Sequence, residues 1–170
     1  PMIFKSTDFG MNWVPVKSAP QFSSNKNVAH IYRLTPGHET EPNVWYAGTS
    51  PQGLFKSEDF GDTWQEVSGF NNHPQIDIWC GSSVSSTLKY EKIHSIMVHP
   101  QNPRSLIIGM ASGGVFESMD AGESWSSMNE GLLTTDISDL SSRDPHLVLQ
   151  HPAEPSRIYQ QNQAGIFRLD

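Results

Sequence analysis

His30, His94 and His146 are the residues of this chain best placed by type and spacing to do chemistry. Each stands six residues before a proline, Pro36, Pro100 or Pro152, and each opens a short apolar run, such as His94-Ser95-Ile96-Met97-Val98. Neutral imidazole is the commonest metal ligand, and protonated imidazole holds anions, so three copies converging on one place could form a binding site. Duplication supplies a plainer cause: each histidine would start its strand by hydrogen-bonding a neighbouring unit, and no metal is expected. Carboxylates come next. Asp77, Asp136, Asp139 and Asp144 lie in connecting segments, where a pair about 5 to 10 Å apart could hydrolyse a glycosidic bond. As loop residues, they fit solvated or turn-forming roles better than catalytic ones. Gln161 and Asn162, within the amide-rich run Gln160 to Gln163, offer donors and acceptors to a sugar or a peptide backbone, and Trp79 offers an aromatic platform.

The elements that must position these groups are announced by a second repeat, Ser-x-Asp-x-Gly-x-x-Trp. Its copies carry Ser6, Asp8, Gly10 and Trp13; Ser57, Asp59, Gly61 and Trp64; and Ser118, Asp120, Gly122 and Trp125. Each follows an apolar-aromatic step, Ile3-Phe4, Leu54-Phe55 or Val115-Phe116, so a strand runs into a tight turn and a second strand leaves through the tryptophan. Spacings of 51 and 61 residues fall near the blade-sized periods of propellers. Between one box and the next, the histidine strand, a proline-bearing turn, a second strand and a glycine-bearing loop complete four strands per unit. The expected fold is an all-β β-propeller portion of four-stranded antiparallel blades.

The motif resembles the Asp-box, or bacterial neuraminidase repeat, of sialidases, xyloglucan-degrading hydrolases, sortilin-type receptors and photosystem assembly factors. The resemblance implies that the serine and aspartate brace the turn between the third and fourth strands while the tryptophan packs beneath it. The box acids are thus structural and poor catalytic candidates. It also implies that inner strands line a channel and that the loops beside their starts bind ligands. The channel-face candidates are then His30, His94, His146, Gln161, Asn162 and Trp79. A closer likeness, including the Tyr159-Gln160-Gln161-Asn162 strand end, is to uncharacterised bacterial proteins related to sialidases and glycosyl hydrolases. Sialidase activity itself is disfavoured, because the Arg-Ile-Pro motif is absent and only Arg143 lies in a ligand-face connection.

Laid over the chain, this phase assigns 1–18 to the end of one blade, 28–68 and 92–128 to complete blades, and 145–170 to an incomplete one, all in one domain. The remaining blades are expected from a longer chain or from another copy. Composition excludes more than it assigns. A net charge of -7 with 11 scattered basic residues disfavours nucleic acid, which needs a concentrated cationic face. No segment reaches the roughly 20 apolar residues of a membrane span. Cys80 is the single cysteine, so no intrachain disulfide forms, and the compartment stays open between cytoplasm and exterior. No cofactor is expected, since Gly113-Gly114 lacks the strand-to-helix setting of a nucleotide fingerprint. The functional expectation is a ligand-recognition scaffold taking a glycan or a protein. The alternatives are a non-sialidase glycoside hydrolase and a protein assembly platform.

Overall fold

The computed structural model describes residues 1–79, 91–130 and 144–170. Asp136, Asp139, Arg143 and Cys80 lie outside the described residues. Four antiparallel sheets follow one another along the chain. The first pairs β1 (Phe4–Lys5) with β2 (Val14–Pro15). The second runs in the order β3 (His30–Pro36), β4 (Trp45–Ser50), β5 (Gly53–Ser57) and β6 (Gln65–Glu66). Two single-turn helices, α1 (Ser68–Asn71) and α2 (Ile76–Trp79), precede the third sheet. That sheet contains β7 (Ile93–His99), β8 (Asn102–Met110), β9 (Gly114–Ser118) and β10 (Ser126–Ser127). The fourth holds β11 (Leu147–Gln150), β12 (Ile158–Asn162) and β13 (Gly165–Leu169). Nearest-neighbour order within every sheet is the signature of blades.

Side-chain alternation gives each blade two faces, and each interior face meets its neighbour. Tyr46 and Leu54 of the second sheet pack against Ile96, Ile108 and Phe116 of the third, with Phe70 and Trp125 closing the cluster. The opposite face of the third sheet, Ile107 and Val115, packs against Val148 and Ile158 of the fourth. Polar ties cross the same seams. Thr35 Oγ1 donates to the Ile96 carbonyl at 3.3 Å, and buried His38 joins Thr40 through Nδ1 and the Pro100 carbonyl, 2.9 Å away, through Nε2. His38 thus staples two blades. A pattern of repeated histidines could not show this, because His38 is out of phase with them.

The boxes are three castings of one turn. Each serine Oγ donates to its aspartate (Ser6 to Asp8 2.7 Å, Ser57 to Asp59 2.8 Å, Ser118 to Asp120 2.8 Å) and accepts the glycine N–H two residues beyond that aspartate, at 2.8, 2.9 and 2.8 Å. Each aspartate then accepts from the backbone N–H and the side chain of Asn12, Thr63 or Ser124. The indole Nε1 of Trp13, Trp64 and Trp125 donates to the box glycine carbonyl at 3.0, 3.1 and 3.0 Å. The turn needs two consecutive left-handed residues: Phe9, Phe60 and Ala121 at φ 56, 61 and 67°, then Gly10, Gly61 and Gly122 at 85, 83 and 95°. Glycine is free to adopt the second. Charge-favouring bonds hold the carboxylates ionised, with pKa values lowered to about 2. The backbone N–H and then the side chain of Asn12 are the main causes at Asp8; the side chain and then the backbone N–H of Thr63 and Ser124 serve Asp59 and Asp120.

Candidate functional site

Strand pairing, rather than distance from a proline, decides which residues are equivalent at the inner rim. Arg33, Ser95 and Leu147 face Gly48, Gly109 and Gln161 across their sheets. The residues just before them are therefore Tyr32, His94 and His146. Irregularities in register fall at the first two, between Ile31 and Arg33 and between Ile93 and Ser95. Such a bulge re-aims a side chain out of the regular ladder. His30 sits two residues earlier, opposite Ser50, and its ring meets Tyr32 edge-on at 5.9 Å. Tyr32 was invisible to proline phasing because the bulge changes the count.

One chain of contacts runs across three blades from this position. Lys92 Nζ lies 4.7 Å from the centre of the Tyr32 ring, within cation–π range. Lys92, Asp144 and His146 are all close enough to act electrostatically on His94. His146 Nε2 stands 3.9 Å from Asp144 Oδ2, while Asp144 Oδ1 accepts the Ser112 N–H at 3.1 Å. The His146 N–H donates to the Gln161 carbonyl at 2.8 Å, joining the amide-rich strand to the row.

The members differ in what they are free to do. Tyr32, His30 and His146 are exposed. His94 is half-buried, and its Nδ1 lies 2.9 Å from Ser95 Oγ, which accepts the Val148 N–H from the next blade at 3.1 Å. Its Nε2 is buried without a well-formed hydrogen bond. Burial holds the His94 pKa down to about 4; Lys92 and His146 add to the lowering, and the Pro145 carbonyl and Asp144 oppose it. At neutral pH this imidazole is uncharged. No group of three His, Cys, Asp or Glu side chains among the described residues has a metal-binding arrangement.

The remaining candidates are placed elsewhere or held more tightly. Asn162 is buried, and its Oδ1 accepts the N–H groups of Ala164 and Gly165 at 2.8 and 3.2 Å, so it shapes the β12–β13 turn. Gln161 is half-buried, with Nε2 3.3 Å from the Asn162 carbonyl. Trp79 stacks on His73 at 3.9 Å and tilts over Phe116 at 4.5 Å, joining the edge of the core. Asn71 is equally structural, bonding both the N–H and the carbonyl of Leu54 at 2.8 and 3.0 Å. Asn129 repeats the device on Val115 N–H and the Gly113 carbonyl.

One carboxylate was missed by reading the sequence. Burial raises the Glu91 pKa, Lys26 opposing it and Asp77 adding to it. Nothing in residue type or spacing marks Glu91, because its partners come from segments 14 and 65 positions away.

The family model for the BNR-Asp box repeat matches residues 54–67. Three solved structures are similar over most of this chain. An ancestral GH74 enzyme has a TM-score of 0.63 at 18% identity, covering 98% of this chain and 19% of that one. The GH74 xyloglucanase from Xanthomonas campestris has a TM-score of 0.60 at 17% identity, covering 94% and 22%. YCF48 bound to a D1 peptide has a TM-score of 0.51 at 14% identity, covering 95% and 42%. The chain thus spans about a fifth of the length of the two GH74 structures. No curated protein matches it. The likeness to these structures shows a β-propeller fold, and the turn geometry found in the matched repeat recurs at all three boxes. No helix among the described residues is long and apolar enough to cross a membrane.

Proposed function

We propose that this propeller portion is a ligand-recognition scaffold whose inner rim binds a glycan. The observation that carries the reading is the row Tyr32, Lys92, His94, His146, gathered at the starts of three successive first strands, β3, β7 and β11. An exposed aromatic ring, a neutral imidazole and nearby amides suit an uncharged polyhydroxyl ligand: the ring stacks on an apolar sugar face and the polar groups bond its hydroxyls. Similarity to glycan-active GH74 propellers supports the ligand class. Titration with a xyloglucan oligosaccharide tests it. Tyr32→Ala and His146→Ala should each weaken binding about fivefold, the scale of one polar contact at about 1 kcal/mol, with the melting temperature unchanged. Equal affinity in both variants overturns the rim as the site.

A second reading, glycan hydrolysis, has one specific observation in its favour: a partly buried Glu91 beside Asp77, with its pKa raised. A carboxyl whose burial favours its protonated form, near a second carboxyl group, resembles the pairing of a general acid with its partner. Glu91→Gln would abolish release of reducing sugar from xyloglucan under this reading and leave binding in place. The peptide bound to YCF48 supports a protein ligand as the alternative occupant, recognised as a peptide displacing the oligosaccharide.

A further inference from the structure

The seam between the second and third sheets opens, beside β6, into a cleft of about 360 Å³. Both of its walls are sheets already packed on each other, so it is not a face that awaits a neighbouring blade. Glu58, Glu66 and Glu123 oppose a single cation, Lys56, in its lining, and Val67 and Ala121 supply an apolar part. The preceding seam, between the first and second sheets, has the same parts and is closed. Pairing within the box hairpins makes Lys5 and Lys56 equivalent, since they face Val14 and Gln65. Counting on from those partners matches Lys17 with Ser68 and Ser18 with Gly69. The register holds over that count: Val16 and Val67 donate their N–H groups to the Ile3 and Leu54 carbonyls, both at 3.0 Å. Asp62 and Glu123, each following its box glycine, also correspond. The Ser18 N–H donates to the Asp62 carbonyl at 3.0 Å, and Gly69 presses so closely on the Glu123 carbonyl that a Cβ there would lie 2.2 Å from it.

What differs between the seams is the cation. Asp62 holds two ammonium groups, Lys5 on Oδ1 and Lys17 at 3.8 Å from Oδ2. In the open seam Lys56 turns to Glu58 at 2.6 Å, and Ser68 stands where the second lysine would be. Glu123 is left without an ion pair among the described residues. The closed seam thus shows the chemistry that the open one lacks: an ammonium carried on a flexible alkyl stem. We propose that the cleft receives a lysine side chain from a partner protein segment, its ammonium meeting Glu123 as Lys5 and Lys17 meet Asp62. Val67 and Ala121 give the methylene stem an apolar wall, on which lysine stems lie readily. A compact charge with three rotatable donors suits carboxylates spread around a cleft better than a rigid guanidinium fork does. None of the rim residues Tyr32, Lys92, His94 and His146 lines this cleft, so the proposal does not rest on the ligand reading.

Amide chemical-shift titration of the full chain with a capped glycyl-lysyl-glycine peptide tests it. Saturable shifts are expected at Gly69, Gly122 and Glu123, and none from the same peptide carrying Nε-acetyl-lysine, which lacks the charge. Glu123→Gln should weaken binding about three- to fivefold, the scale of one exposed ion pair. Ser68→Lys supplies the missing cation from within the chain and should weaken it as much. Both residues are exposed, so circular dichroism should not change. Glu39→Gln removes the same charge from an exposed position outside the cleft and should leave the affinity as it was. Should Ser68→Lys not fold, the contrast between Glu123→Gln and Glu39→Gln decides. Shifts spread over the acidic surface overturn the proposal, as do equal affinities of the Glu123→Gln and Glu39→Gln variants or equal binding of the acetylated peptide. Full affinity in a folded Ser68→Lys variant also overturns it, because the two seams would then not be equivalent.

Discussion

The box hairpins and the inner rim are both repeated once per blade, yet repetition has different consequences in the two places. In the boxes, Ser57 and Ser118 make the same bonds to within about a tenth of an ångström, and all three aspartates are held ionised in the same way. At the rim, the equivalent residues are Tyr32, His94 and His146: an exposed ring, a half-buried neutral imidazole tied to the next blade, and an exposed imidazole near a carboxylate. A device copied unchanged answers a requirement of the fold that is identical in every blade. Divergence at a structurally equivalent position shows that the fold does not dictate the side chain there, which is why the proposed ligand site is placed at the rim and not at the boxes.

The largest effect that separates the two regions is on stability. Ser118→Ala removes a buried hydroxyl that serves both Gly122 N–H and Asp120. It should cost about 1 to 3 kcal/mol in urea denaturation while oligosaccharide affinity of the folded protein is retained. A loss of affinity without a loss of stability would erase the distinction between box and rim.

Acid sharpens the same contrast. The box aspartates have folded pKa values of about 2 against an ordinary value of 3.8, so their stabilisation is complete above about pH 4 and declines as pH falls towards 2. His94 titrates in a different window. Its folded pKa, about 4 against 6.5, means that the unfolded chain takes up a proton first. Stability should therefore fall from pH 6.5 to about 4 and gain nothing further from this group below that. His94→Gln should flatten the upper window and leave the lower one; the reverse pattern would assign the acid sensitivity wrongly.

The smallest effect concerns Phe60, whose φ of 61° is unusual for an aromatic residue. Phe60→Gly removes a left-handed strain of about 1 kcal/mol but adds unfolded-state freedom of similar size. Thermal melts should differ little. A large destabilisation would show that the exposed ring is packed in solution and that the box tip is more than a turn.

Architecture was legible in the sequence because its causes are local. Serine, aspartate, glycine and tryptophan meet within eight residues, so the turn is written out in order. The strand phase follows from the same boxes: β6 and β10 each leave a box through its tryptophan, Trp64 or Trp125. The rim was less legible because its equivalences depend on pairing. A bulge in β3 moves the repeated position from His30 to Tyr32, and no count along one strand contains that shift. Trp79 read as a platform in a polar loop, but α2 turns it onto Phe116. Glu91 acquires its raised pKa first from burial, with Lys26 opposing and Asp77 adding to it, surroundings that only the folded chain creates.

The claim that variation at the rim marks the site is tested most directly by amide chemical-shift mapping during titration with a xyloglucan oligosaccharide. The account predicts saturable shifts at Tyr32, Lys92, His94, His146 and Gln161, with the box glycines Gly10, Gly61 and Gly122 unmoved. Shifts concentrated at the boxes, or no saturable shift at the rim, would contradict it.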